Sequence, residues 1–208
     1  GGNTNCVYNC AMTRIKKNNV PIFYNPGHRL HNPRHEYDRG QPVAYQEVPR
    51  RVEAAREALQ QLPFTQLVET STRATTRQLS RVHSMGLLRH LESSCQQAAE
   101  QAAAAPGEGI YLYPWIFPIR PAMQPQNLPV GEQAGYYAFD SYAPLGRYTW
   151  QAACGSAALA IQAAECVRQG SARQAYALCR PPGHHAGTDF IGGYCYLNNA
   201  ALAASVLL

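Results

Sequence analysis

The residues that could do chemistry lie in the stretch CRPPGHHAGTDFIGGYCYLNNAALAA, Cys179 to Ala204, which sets His184 and His185 side by side between a Pro-Pro-Gly turn and a Gly-Gly-aromatic turn. Histidine ordinarily titrates near neutrality. Adjacent imidazoles share a proton-binding environment, so one can stay a neutral general base near pH 7 while the other holds charge or orients water. Pro181, Pro182 and Gly183 restrict the backbone just before the pair. Gly192 and Gly193 would admit a second backbone segment close by, with Tyr194 beside it. On spacing alone two readings stand: a catalytic pair, or two buried histidines satisfying loop carbonyls. Joint ligation of one metal is less favoured, because sequence neighbours rarely converge on a single ion.

Other candidate ligands carry weaker patterns. His28, His31 and His35 have the three- and four-residue spacings of helical ligand pairs, but Pro26 to Pro42 is too rich in Pro and Gly for one helix, so they read as solvated loop histidines. The seven cysteines (6, 10, 95, 154, 166, 179 and 195) are odd in number and contain no C-x-x-C pair. Neither a disulfide framework nor a zinc ribbon follows, and reduced, mostly buried thiols are expected.

Several elements must position the histidine pair. VPIFYN, from Val20 to Asn25, reads as a buried strand closed by a turn. From Glu47, a helix with Pro49 in its first turn places Val48, Val52, Ala55, Leu59 and Leu62 on one face. A second helical stretch from Thr75 breaks near His83 to Gly86 and ends, from Gln96, as an exposed Ala/Gln/Glu-rich helix. TWQAACGSAALAIQAAECVRQG is a third helix, with Thr149 as its cap, a small-residue inner face and Gly170 closing it. QAYALCR reads as a strand, and Asn198 or Asn199 caps a last helix. Helix, strand, loop and helix in this rhythm indicate an α/β domain with a parallel sheet, whose ligands sit at the carboxyl ends of the strands. Residues 106–147 form a long Pro/aromatic insert. It is either functional or buried against a partner subunit, or else an irregular excursion packed on its own domain.

Composition bounds the rest. The chain has 208 residues, 46% of them hydrophobic, which suits one domain or most of a larger one. The apolar runs are too short to span a bilayer and no signal-peptide pattern is present, so a cytoplasmic protein without a membrane partner is expected. Of the net charge of +5, Arg14, Lys16 and Lys17 supply +3, and the later arginines are dispersed, so no nucleic-acid partner is expected. Residues 1–19 read as a non-native or disordered leader, with Met12 as the natural start.

RPPGHHAGTDFIGGYCYLNNAA resembles the signature of the zinc-dependent deacetylases of the histone deacetylase superfamily, and within it of the bacterial acetylpolyamine amidohydrolases. The resemblance covers nearly all of residues 20–208, through NPGHRLHN, PRRVEAAREAL, RVHSMGLLRHLES and GEQAGYYAFDSYAPLGRYTWQAA. It implies an arginase/deacetylase-like three-layer α/β fold with a parallel sheet, truncated before the later strands, residues 20–208 being the amino-terminal part of a deacetylase domain. It further implies His185 as general base, His184 as its electrostatic partner, Gly193 and Tyr194 lining an acyl-amine tunnel, and Arg51 as a buried arginine beneath the site. Glu108 and Glu132, in the insert, are candidates for reading a small cationic acetylated amine, and residues 106–135 for forming a homodimer.

The resemblance implies zinc as cofactor, but the matching metal ligands would follow Leu208, and Asp140, Asp189 and the early histidines do not occupy their positions. The expectation is therefore an amidohydrolase acting on acetylpolyamines or related acyl-amines, of which this chain is an incomplete, inactive portion that is marginally stable and binds no catalytic zinc. The alternatives are a non-catalytic short product, as interaction module or gene remnant, and a protein acetyl-lysine deacetylase.

Overall fold

A computed structural model describes residues 15, 19–104, 110–115 and 128–208. At its centre β1 (Val20–Tyr24) lies between β4 (Thr65–Glu69) and β7 (Tyr176–Ala177) in a parallel sheet, with Val20 in register with Thr65 and Ile22 with Tyr176. Successive side chains of a strand face opposite ways. Val20, Ile22 and Tyr24 accordingly pack with Val52, Ala55 and Leu59 of α1 (Arg50–Gln60), while Phe23 packs with Leu159, Ala163 and Cys166 of α5 (Thr149–Arg168). The sheet is thus the middle of three layers, as the resemblance implies.

α5 is buried around most of its circumference. Its alanines let two helices approach closely: α3 (Met85–Ala104) and α6 (Asn199–Leu207), with Leu88 and Leu91 of the first and Leu202 of the second joining Ala153, Ala157 and Ile161 in the main core. The expected break in the second helical stretch is present. α2 (Thr76–Leu79) starts at a capping box between Thr75 and Gln78, and the chain turns before α3 resumes at Met85. Asn198, not Asn199, caps α6, its side chain accepting from Ala201 N.

Three local expectations need correction. Thr149 does not cap α5. Tyr148 occupies that position without a side-chain bond, and the Thr149 hydroxyl instead accepts from Gly146 N and pairs with His31 Nδ1 at 3.0 Å. The Pro26–Pro42 stretch is not wholly irregular: β2 (His35–Asp38) and β3 (Gln41–Ala44) form a hairpin whose turn residues, Arg39 and Gly40, both have positive φ. His28 and His31 are buried rather than solvated, because a short 3-10 helix, Pro26–Leu30, folds them against Glu53 and Thr149; His35 is exposed.

The long insert is closed at its ends by β5 (Tyr111–Leu112) pairing antiparallel with β6 (Leu145–Gly146). Its described part packs largely on its own domain, with Tyr137 and Leu145 in the main core, although Trp115 and Phe139 are exposed. Most of the expected leader, Met12 included, lies outside the described residues. No helix among the described residues is long and apolar enough to cross a membrane.

Candidate active site

The histidine loop leaves β7 and is pinned before it reaches the pair. Arg180 is fully buried: Nη1 donates to His28 O and His31 O, each at 2.7 Å, and Nη2 to Glu47 O at 2.6 Å. Its Nε faces Glu47 Oε2 at 2.9 Å as an ion pair without the alignment of a hydrogen bond. A buried guanidinium is tolerated when hydrogen bonds and an opposite charge compensate its burial, and here three carbonyls accept from it and the Glu47 carboxylate balances its charge. Burial pushes the Glu47 carboxyl up to about 7, against the pull of Arg180 and Arg51.

From α5, Ser156 Oγ donates to Pro181 O at 2.8 Å, and Asn199 Nδ2 donates to Ser156 Oγ at 2.9 Å. At Gly183 a side chain has no room, since a Cβ would lie 2.4 Å from Leu197 O and 2.5 Å from Asn199 N. Beyond the pair, Asn198 Nδ2 donates to Ala186 O at 2.9 Å.

Held in this way, His184 and His185 stand with ring centroids 4.3 Å apart and planes tilted by 49°. Both are exposed to a cleft of about 420 Å³ that Glu47, Arg51, Gly193 and Tyr194 also line. The reading of two buried histidines spent on loop carbonyls is therefore not what the structure shows. Gly193, at φ +53°, lies against the second ring: a Cβ there would be 2.7 Å from His185 Cδ2. Its N–H donates to Asp140 Oδ2 at 2.8 Å.

Tyr194 also has a left-handed backbone, at φ +66°, which costs a non-glycine residue roughly 1–2 kcal/mol. Its hydroxyl donates to Glu36 Oε1 at 3.0 Å, while the other Glu36 oxygen accepts from Gln46 N at 3.1 Å. Burial first, then the Glu36 carboxylate, raises the Tyr194 hydroxyl above its ordinary range, so it remains a protonated donor.

The remaining site residues fare differently. Arg51 lines the cleft but is not buried: its side chain is 67% exposed, with Nε 3.8 Å from Glu47 Oε1. It precedes the Val52–Ala55–Leu59 stripe by which α1 packs on the sheet, and the arginine that is buried is Arg180. Glu132, half-buried in α4 (Val130–Tyr136), is not part of the cleft lining, and Glu108 lies outside the described residues.

Glu36, Glu47, Arg180 and Ser156 are not found by the sequence reading. Only Arg180 leaves a trace there, as a charge directly joining an apolar strand to the histidine motif. Among the described residues no three His, Cys, Asp or Glu side chains group to hold a metal ion. Cavities of about 430 and 570 Å³ flank α5, so volume does not single out the histidine cleft; the paired imidazoles do.

Comparison with known proteins adds relatives to this geometry. A family model described as the histone deacetylase domain matches residues 45–208. Acetylpolyamine amidohydrolase 2 of Pseudomonas aeruginosa is 36% identical over 186 residues, 89% of this chain and 52% of that protein. Acetylpolyamine amidohydrolase 1 of the same organism is 60% identical over 76 residues, 36% of this chain and 22% of that protein. The crystal structure of an acetylpolyamine aminohydrolase from Burkholderia pseudomallei superposes with a TM-score of 0.75 at 36% identity, covering 90% of this chain and 52% of that one. The chain thus spans about half the length of relatives that it matches along nearly all of its own.

Proposed function

The chain belongs to the histone deacetylase domain family, and from that premise we propose that it supplies the proton-handling half of a zinc-dependent amidohydrolase that removes acetyl groups from acetylpolyamines or related small acyl-amines. The observation that carries this reading is the packing of Gly193 against the His185 ring, with Tyr194 beside it, in a cleft to which both histidines are open. With its N–H tied to Asp140 and no side chain of its own, Gly193 lets the backbone lie directly against the imidazole at the cleft wall.

In this proposal His185 takes a proton from the attacking water and His184, one ring away, is its electrostatic partner. Gly193 and Tyr194 line the substrate, and Arg51 contributes positive charge at the cleft wall. Zinc is the metal of this family and supplies Lewis acidity when bound. The described residues do not form its site. Glu108 and Glu132 as readers of a cationic amine, and residues 106–135 as a dimer contact, belong to the same proposal.

The names of the relatives favour acetylated polyamines over acetyl-lysine proteins as substrate. Steady-state kinetics of the full-length protein on acetylputrescine and on an acetyl-lysine peptide test this. The expected result is a higher kcat/KM on acetylputrescine, with His185→Ala lowering kcat by about 100- to 10,000-fold. A preference for the peptide would reassign the substrate, and full activity of His185→Ala would overturn the proton-handling role.

A further inference from the structure

His83 lies in the break between α2 and α3, outside the cleft, and is 2% exposed. Its Nδ1 is 2.9 Å from Gly187 O, and the backbone N–H of Asn198 points at its Nε2 from 2.9 Å. A carbonyl can only accept and a peptide N–H can only donate, so these two partners force one protonation state: hydrogen on Nδ1, a free lone pair on Nε2. The opposite tautomer fails both contacts, and the imidazolium loses the second. Burial lowers the affinity of this ring for a second proton, although the Gly187 carbonyl pulls the other way.

What His83 holds is the exit of the histidine loop. Gly187 is two residues past His185. Next to it, Asn198 Nδ2 donates to Ala186 O at 2.9 Å and Ser84 N donates to Thr188 O at 2.7 Å. The carbonyls of Ala186, Gly187 and Thr188 thus each accept a hydrogen bond from outside the loop, and His83 also fixes Asn198, the residue that ties Ala186. The entrance of the loop, by contrast, is held by Arg180, Ser156 and Asn199.

We infer that His83 is a positioning residue, which as a single neutral Nδ1–H tautomer clamps the chain leaving His185 to the start of α6 and so sets the orientation of the His185 ring in the cleft. The inference rests on reading His185 as the proton acceptor.

The test uses the full-length, metal-loaded protein labelled with 15N at histidine. The ring nitrogens of His83 should show the neutral Nδ1–H pattern, unchanged from about pH 6 to 8. His83→Phe should lower kcat on acetylputrescine by about 10- to 100-fold with KM changed less than about 2-fold, and should move the NMR titration midpoints of His184 and His185. His83→Asn, whose Nδ2 can still donate to Gly187 O, should retain more of kcat than His83→Phe.

A Nε2–H tautomer, or a His83 that titrates near 6.5, overturns the inference. So does a folded His83→Phe protein with wild-type kcat and unmoved midpoints, provided that His185→Ala is inactive. Should His83→Phe not fold, the wild-type tautomer and the His83→Asn kinetics decide. Should His185→Ala prove fully active, the proposed function fails, while the tautomer and the titration midpoints still judge the clamp.

Discussion

Gly193 shows how much of the site depends on one missing side chain. An alanine there would put its Cβ 2.7 Å from His185 Cδ2 and 2.9 Å from Cγ, and would have to adopt φ +53°. The ring is the movable partner, because the Gly193 backbone is bonded to Asp140. Displacing a reacting group by about 1 Å can cost roughly 100-fold in rate, so Gly193→Ala in the full-length protein should lose about that much kcat/KM with an unchanged near-ultraviolet CD spectrum. Activity within a few-fold of wild type would show that the ring tolerates the displacement. The His-His-Gly-Tyr grouping is legible in sequence from residue types and turn signals alone. The carboxylates that fix it are not: Asp140 and Glu36 meet Gly193 and Tyr194 across 53 and 158 residues of chain.

Among the elements, α5 carries the largest share of the packing, and its small residues serve particular neighbours. Gly155 faces Asn25, whose amide would stand 2.8 Å from a new Cβ. Asn25 cannot easily yield, since it donates to Thr72 O and accepts from Gly27 N at the start of the 3-10 helix. Alanine improves helix propensity by about 1 kcal/mol over glycine, whereas overpacking a tight contact costs about 1–3 kcal/mol. Gly155→Ala should therefore destabilise by up to about 2 kcal/mol in urea denaturation; a rise in stability would mean that Asn25 has another place to go. The helices are readable because their apolar residues recur on one face, and β1 because it is a short apolar run closed by Asn25, Pro26 and Gly27. β4 and the hairpin are harder: β4 is one five-residue run in which four residues are only partly buried, and the hairpin hides in a stretch whose Pro and Gly content suggests irregular loop.

At the scale of the whole molecule, four buried histidines make stability depend on acid. Burial lowers His28 and His90 to about 4, lowers His83, and with Arg180 nearby lowers His31 well below its ordinary value. Between those values and the unfolded value of about 6.5, the unfolded chain binds protons that the folded one refuses. Stability is therefore complete above about pH 6.5 and falls as the pH drops, each histidine approaching about 1.4 kcal/mol per pH unit. Glu47, raised to about 7, acts in the opposite sense. Glu53, held low chiefly by its bond from Arg29 and also by Tyr24, Arg56 and His28, loses its contribution only below the ordinary carboxylate range. The urea midpoint of the full-length protein should be lower at about pH 5 than at about pH 7.5, and equal midpoints would contradict neutral buried histidines.

By itself the sequence determined the histidine motif, the central strand, the main helices and the break between α2 and α3, because each is written in local spacing, in Pro and Gly, or in a repeating apolar face. The tertiary structure alone decided that Arg180, not Arg51, is the buried arginine, that His28 and His31 are core residues, and that His83 grips the loop it never neighbours in sequence. Those outcomes depend on hydrogen-bond partners 25 to 152 residues away, and a donor meeting an acceptor over such a separation leaves no period in the chain.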